Sequence, residues 1–342
     1  MTISSYGDAA PTFHTRSNAK VWHLFLVLVA LASLLPFVAV PFAQHVIPKT
    51  TSALFIIAAL NFFGANFHVA STSWFYADPA MRSHFRSNAL RYLMIPCLLV
   101  IGSAAAFYFL DSPSCLYLLI PFSCWQLWHY QKQNSGLLSF IAAGTDGVPL
   151  SIWERRTLAL SALAGILGFF HLFDIGLPNL SSEFTSLHQI GAVISCLLPI
   201  AFCVSVIKTP ALRTNRLRLV FFLFGTLFFL PTFVFSDAVS ATLGYAVSHG
   251  LQYLVFMGFV SVGKKNAVAS LTVLLAMATL GAFTLNMALV PDWLESPSGR
   301  AIYGVFLGVV MAHFVVDAGV WRLRETFQRR YMREKFYFIF NR

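Results

Sequence analysis

Ten histidines occur in the chain, and five fall inside long apolar runs: His68, His129, His171, His249 and His313. An ionisable group in such a run is costly and by default marks a functional site. The neutral imidazole is the commonest protein ligand for iron, copper and zinc, and it adds no buried negative charge. Four of the five carry polar partners at helical spacing, on the same helix face. His313 is followed at i+4 by Asp317, a carboxylate well inside an apolar run. Asp317 is either a ligand or the acceptor that orients a ligating imidazole. His129 has Gln126 at i−3 and Gln133 at i+4, and His249 has Tyr245 at i−4, Gln252 at i+3 and Tyr253 at i+4. His68 follows Asn61 and Asn66 and precedes Ser71, Thr72 and Tyr76. A single intramembrane His commonly serves as an interhelical hydrogen-bond partner; four at related depths read as a metal or heme site. The expected metal ligands are therefore His68, His129, His249 and His313, with Asp317 orienting a ligand or taking the proton and Tyr245, Tyr253 and Gln133 lining the site.

These residues need helices that cross a bilayer. Of the 342 residues, 58% are hydrophobic and only 11% charged, and the mean hydropathy is +0.72. Soluble domains are about 45–50% apolar and about 25% charged. That balance excludes a soluble enzyme, a disordered chain and a nucleic-acid-binding module, despite the net charge of +10. A spanning helix needs about 20 mainly apolar residues. Ten runs qualify, at about 21–44, 51–77, 89–110, 113–131, 157–174, 187–207, 217–236, 237–262, 266–290 and 300–321. The expected fold is an all-α, polytopic membrane helix bundle, a single domain over 1–342. Residues 1–20 form a cytoplasmic leading segment, and 322–342 a basic amphipathic tail lying in the interface.

Lys and Arg concentrate on the cytoplasmic side of membrane proteins. With both termini cytoplasmic, all of the 23 basic residues except Lys49 and Arg300 fall on that side. There they meet anionic lipid. The second, fourth, eighth and tenth runs then travel in one direction, and each carries one of the four His. Counted from the basic ends of those runs, the four depths differ by roughly 15 Å at most. His171 belongs to an oppositely directed run and falls near its external end. His14 and His84 lie in cytoplasmic segments, and His23, His45 and His188 at run ends.

Other signals are structural. The five Cys have no metal-ligand spacing and read as small buried hydrophobes. No HExxH, HxxHH or HxxxH box occurs, nor a Walker A, GxSxG or GxGxxG motif. Gly144 to Gly147 reads as a turn, and the Gly165–Gly168 and Gly304–Gly308 pairs as helix-packing faces. The Phe-rich seventh run is expected to face lipid, and Pro96, Pro121, Pro199 and Pro231 to kink their helices. Pro231 with Asp237 would open a cavity, and Trp153 and Trp293 would belong to aromatic belts.

The favoured function is an integral-membrane non-heme iron oxygenase or hydroxylase acting on a lipid or isoprenoid. In theme this is similar to the bacterial membrane carotenoid-cleaving dioxygenases, whose intramembrane His hold iron; none of their motifs is matched here, and the similarity carries over no residue. A second reading is a heme b electron-transfer or quinol-reactive subunit, with Gly64, Gly250 and Gly319 packing on the porphyrin. A third is a proton-coupled transporter using Asp317, although no paired broken helices occur. The expected partners are a hydrophobic small-molecule substrate, membrane lipids and an electron-donor protein, in the bacterial inner membrane.

Overall fold

The computed structural model describes residues 15–46, 62, 66–173, 177–235, 238–262, 267–288 and 295–340. Lys49, Asn61, Gly64, Asp237, Lys264, Lys265 and Trp293 lie outside these residues. Among the described residues the chain is helical and contains no strand.

The principal helices are α1 (Thr15–Val46), α2 (Phe67–Ser71), α3 (Ile95–Phe109), α4 (Ser112–Thr145), α5 (Ile152–Phe169), α6 (Ser181–Lys208), α7 (Arg216–Leu227), α8 (Ala238–Val262), α9 (Ala267–Met287), α10 (Pro297–Val320) and α11 (Thr326–Lys335). Their starts follow capping chemistry. Asp111 accepts from the Ser114 N–H, and Ser296 accepts from the Gly299 N–H just before Pro297. At α5, Ser151 and Glu154 form a reciprocal capping box.

Seven stretches of helix among the described residues are long and apolar enough to cross a membrane: Asn18–Ala39, Leu90–Phe109, Ile152–Phe173, Pro178–Lys208, Ser240–Val262, Ala267–Met287 and Pro297–Val320. The three other expected spans differ for separate reasons. Most of the second run lies outside the described residues. The fourth belongs to α4, whose polar residues Gln126, His129, Gln131, Gln133 and Asn134 dilute its hydropathy. The seventh is broken after Leu227, and a short helix, Pro231–Val234, follows.

The expectation that the Phe-rich run faces lipid is overturned. Phe222, Phe228 and Phe229 are 0–2% exposed, whereas the outward positions are Val220, Leu223 and Leu227. Phe229 is buried because Gly165 gives it room: a Cβ there would strike its ring. The Cys expectation also fails, since Cys115 is buried but Cys97, Cys196 and Cys203 are exposed on helix surfaces. Pro121 and Pro199 lie inside α4 and α6, and Pro96 follows a π-helical turn, Leu90–Met94, within the continuous helix Leu90–Phe109. Pro231 stands in the first turn of its short helix, where the missing N–H costs nothing.

The most intimate helix pair is α3 with α10. A Cβ at Gly304 would lie 2.5 Å from the Ser103 carbonyl oxygen, and the Ser103 hydroxyl donates to the Gly304 carbonyl at 2.7 Å. The apolar face of the tail packs inward. Tyr331, Met332, Phe336, Phe338 and Ile339 are all buried, and Phe336 packs against Phe25, Phe140 and Phe256. The apolar face that suggested membrane contact instead completes the core.

The turn after α4 closes on charge. Arg218 and Glu154 are both 0% exposed; Nη2 of Arg218 lies 2.8 Å from Oε2 of Glu154, and Nη1 lies 3.0 Å from Oδ1 of Asp146. The same guanidinium donates to the Val148 and Pro149 carbonyls, so the buried charges are paired and hydrogen-bonded.

Candidate metal centre

Four helices bring their imidazoles to one point: α2 supplies His68, α4 His129, α8 His249 and α10 His313. All four are buried. The rings form a closed circuit, with centroids 4.7 Å apart for His68–His249, 5.1 Å for His249–His129, 5.2 Å for His129–His313 and 5.0 Å for His313–His68. Ligand atoms of His68, His249 and His313 lie within 4.8 Å of one another, as do those of His129, His313 and Asp317. His313 belongs to both sets. Ligands on one ion at about 2.0–2.2 Å lie roughly 3–4 Å apart, so closing on an ion requires only small side-chain shifts.

Asp317 faces the cluster from the next turn of α10. Its Oδ2 is 3.7 Å from Nε2 of His313 and 3.9 Å from Nε2 of His129. Its Oδ1 accepts from the Tyr253 hydroxyl at 2.6 Å. Among the described residues Asp317 pairs with no Arg: Arg324 meets Glu325, and Nε of Arg322 donates to the Ala318 carbonyl. Thr72 completes the polar contacts, 2.9 Å from the Tyr253 hydroxyl and 2.6 Å from Nδ1 of His313.

Whether these residues suit a metal is tested by the nitrogens they leave bare. Nε2 of His129, both ring nitrogens of His249 and Nε2 of His313 are buried with no hydrogen-bond partner. An orphaned buried polar atom costs about 1–3 kcal/mol, and native structures seldom tolerate several together. A cation accepting one lone pair from each ring would remove most of that cost. The donor set, four neutral imidazoles with one carboxylate alongside, suits a divalent transition ion.

Aromatic rings hold the imidazoles in place. Phe314 stacks on His129 at 4.4 Å and Tyr130 tilts over His249 at 4.1 Å. Of the other expected site residues, Gln133 lines the cavity beside the cluster and Tyr245 does not. Gln133 does not address an imidazole ring: its Nε2 donates to the His249 carbonyl at 2.8 Å and to Oε1 of Gln252 at 2.9 Å, tying α4 to α8. Tyr245 stands one aromatic layer away, against Tyr130, Phe228 and Phe229. Its i−4 position shares a helix with His249, but its ring turns toward α7 and the segment after it. Thr72 was visible in sequence only as one polar neighbour of His68. His171 and His188 sit elsewhere, both with Nδ1 on the Gly168 carbonyl, at 2.7 and 2.8 Å.

A cavity of about 590 Å³ lies against the cluster, reaching His129, Tyr253 and Asp317 at its inner end. Trp125, Trp128, Phe140, Phe256, Phe314 and Trp321 form most of its wall.

Comparison with family models, with curated proteins and with solved structures finds no match for this chain.

Proposed function

We propose that the chain is an integral-membrane metalloenzyme, a non-heme iron oxygenase or hydroxylase that acts on an apolar lipid or isoprenoid. The observation that carries this reading is the circuit of four buried imidazoles, with bare ring nitrogens on His129, His249 and His313, beside an apolar cavity. His68, His129, His249 and His313 would hold the ion, which when bound would supply the one-electron and oxygen chemistry that side chains lack. Asp317 and Tyr253 hold a proton between Oδ1 and the phenol oxygen at the cavity's inner end. The aromatic walls exclude water and seat the substrate.

Mutual contact of the imidazoles favours a bare ion over heme b, since a porphyrin between two of them would force their rings apart. An electron-donor protein would dock on the basic face. The proposed topology has ten spans with both termini cytoplasmic, in the bacterial inner membrane. It rests on the placement of Lys and Arg.

Elemental analysis and the optical spectrum of detergent-purified protein test the reading. Near-stoichiometric iron without a Soret band is expected, and His313→Ala should lose the iron while remaining inserted. A Soret band, or iron retained in full by that variant, would overturn the assignment.

A further inference from the structure

The cavity has charges as well as apolar walls. Apart from Asp317, the charged residues lining it are Lys132 and Arg322. Among the described residues neither forms an ion pair. Lys132 is exposed, with Nζ 4.8 Å over the Trp128 ring. Arg322 is half-buried and uses Nε on the Ala318 carbonyl, which leaves its terminal nitrogens for another acceptor. Basic residues at a membrane face commonly reach for lipid headgroups. These two, however, stand on the wall of a cavity that reaches His129 and Asp317 of the cluster.

We propose that this cavity takes an apolar molecule bearing a carboxylate, received by Lys132 and Arg322 on the cavity's open side. The proposal rests on the metalloenzyme reading for what happens to that molecule, but not for its binding. Charge selects the end group, since Lys and Arg at the edge of a low-dielectric cavity give strong charge-assisted bonds to an anion. Volume selects the body. At about 30 Å³ per small heavy-atom group, the share of a water in the liquid, 590 Å³ holds roughly twenty heavy atoms, a single chain or isoprenoid and not a two-chain phospholipid. Lys132 follows His129 by three residues on α4, about 4.5 Å along its axis. Arg322 stands two residues past the end of α10 and reaches back with Nε to the carbonyl of Ala318, the neighbour of Asp317.

The test is quenching of tryptophan fluorescence in the full-length protein in nanodiscs, titrated with oleate, oleyl alcohol and lysophosphatidate; three of the seven Trp line the cavity. Oleate should bind about tenfold tighter than oleyl alcohol, and the difference should shrink with added salt. The double variant K132Q/R322Q should bring oleate down to the alcohol's affinity and leave the alcohol unchanged. K132R/R322K, which keeps both charges, should keep the preference and shows that loss is not misfolding. Equal binding of oleate and alcohol by the wild type overturns the proposal, as does a variant that loses both alike. Lysophosphatidate displacing oleate at lower concentration would make phosphate the recognised group and overturn the carboxylate. Iron content of the same preparation separates the two readings. Oleate preference in protein that binds no metal sinks the enzyme assignment alone; full iron without preference sinks only the carboxylate.

Discussion

The Thr72 hydroxyl is hydrogen-bonded to Nδ1 of His313 at 2.6 Å, and counting protons fixes which way that bond runs. With Asp317 as the carboxylate, Tyr253 commits its one proton to it. The 2.9 Å contact between Thr72 and Tyr253 must then be donated by Thr72. With its own proton spent, Thr72 can only accept from His313, so Nδ1 carries the hydrogen and Nε2 is left bare toward the cluster. An outer hydrogen bond that selects the ligating tautomer is a common feature of metal-bound His.

Thr72→Val should therefore weaken metal binding about 10–100-fold, the usual cost of losing such a partner. Thr72→Ser should restore it. Metal titration by competition with a chelator reads both. Unchanged affinity in the valine variant would remove Thr72 from this role.

Asp317→Asn keeps the shape of the carboxylate and removes its charge. With four imidazoles as the ligands, the variant should retain its metal yet lose turnover by about 10²–10⁴-fold, the range for a lost acid–base group. Oxygen consumption and metal content, measured together, separate this outcome from loss of a ligand.

Gly304→Val should destabilise the bundle by about 1–3 kcal/mol, the usual cost of overpacking, because the added side chain meets the Ser103 backbone. Thermal unfolding measures it. Metal content should fall too, as α10 carries both Gly304 and His313.

Arg218→Gln should cost about 3–5 kcal/mol by leaving Glu154 buried and unpaired. The double variant E154Q/R218Q should recover part of that loss. Chemical denaturation of the three proteins shows whether it does.

His84 stacks on Phe327 at 4.1 Å, and the Gln328 amide donates to its Nε2 at 3.2 Å. Burial holds its pKa below the ordinary imidazole value. A depressed folded value means that this group's stabilising share is present above about pH 6.5 and is lost as the pH falls toward and through the folded value. Docking of α11 should loosen on acidification across that window, seen as lower hydrogen-exchange protection over 326–340 once rates are corrected for the intrinsic pH dependence of amide exchange. Protection there that does not change with pH would contradict it.

The site residues were legible because polarity inside an apolar run is conspicuous in one dimension. Their convergence was not, since periodicity gives a face and not the rotation of one helix against another. Depths counted from the basic residues spread the four His over as much as about 15 Å, although the rings of His129 and His249 are 5.1 Å apart. For His129 the reason is that α4 continues unbroken past Lys132 to Thr145, so the basic residue does not mark the helix end. Gln133 and Tyr245 share faces with site histidines yet turn to the His249 carbonyl and to Phe229, because a helix face is wide enough to serve two neighbours. The tail was misplaced because an apolar stripe is the same whether lipid or Phe25 covers it.

The four imidazoles come from positions 68, 129, 249 and 313, and each half of the chain carries two. No segment that stops short of α10 holds a complete set, and Asp317 arrives with the last of them. The cluster is thus complete only when the last of these helices is in place, and a bound ion would add its binding free energy to closure of the whole bundle. Two co-expressed pieces divided between α6 and α7 would each bring half a coordination sphere, and the metal they capture would report that the pieces had found each other.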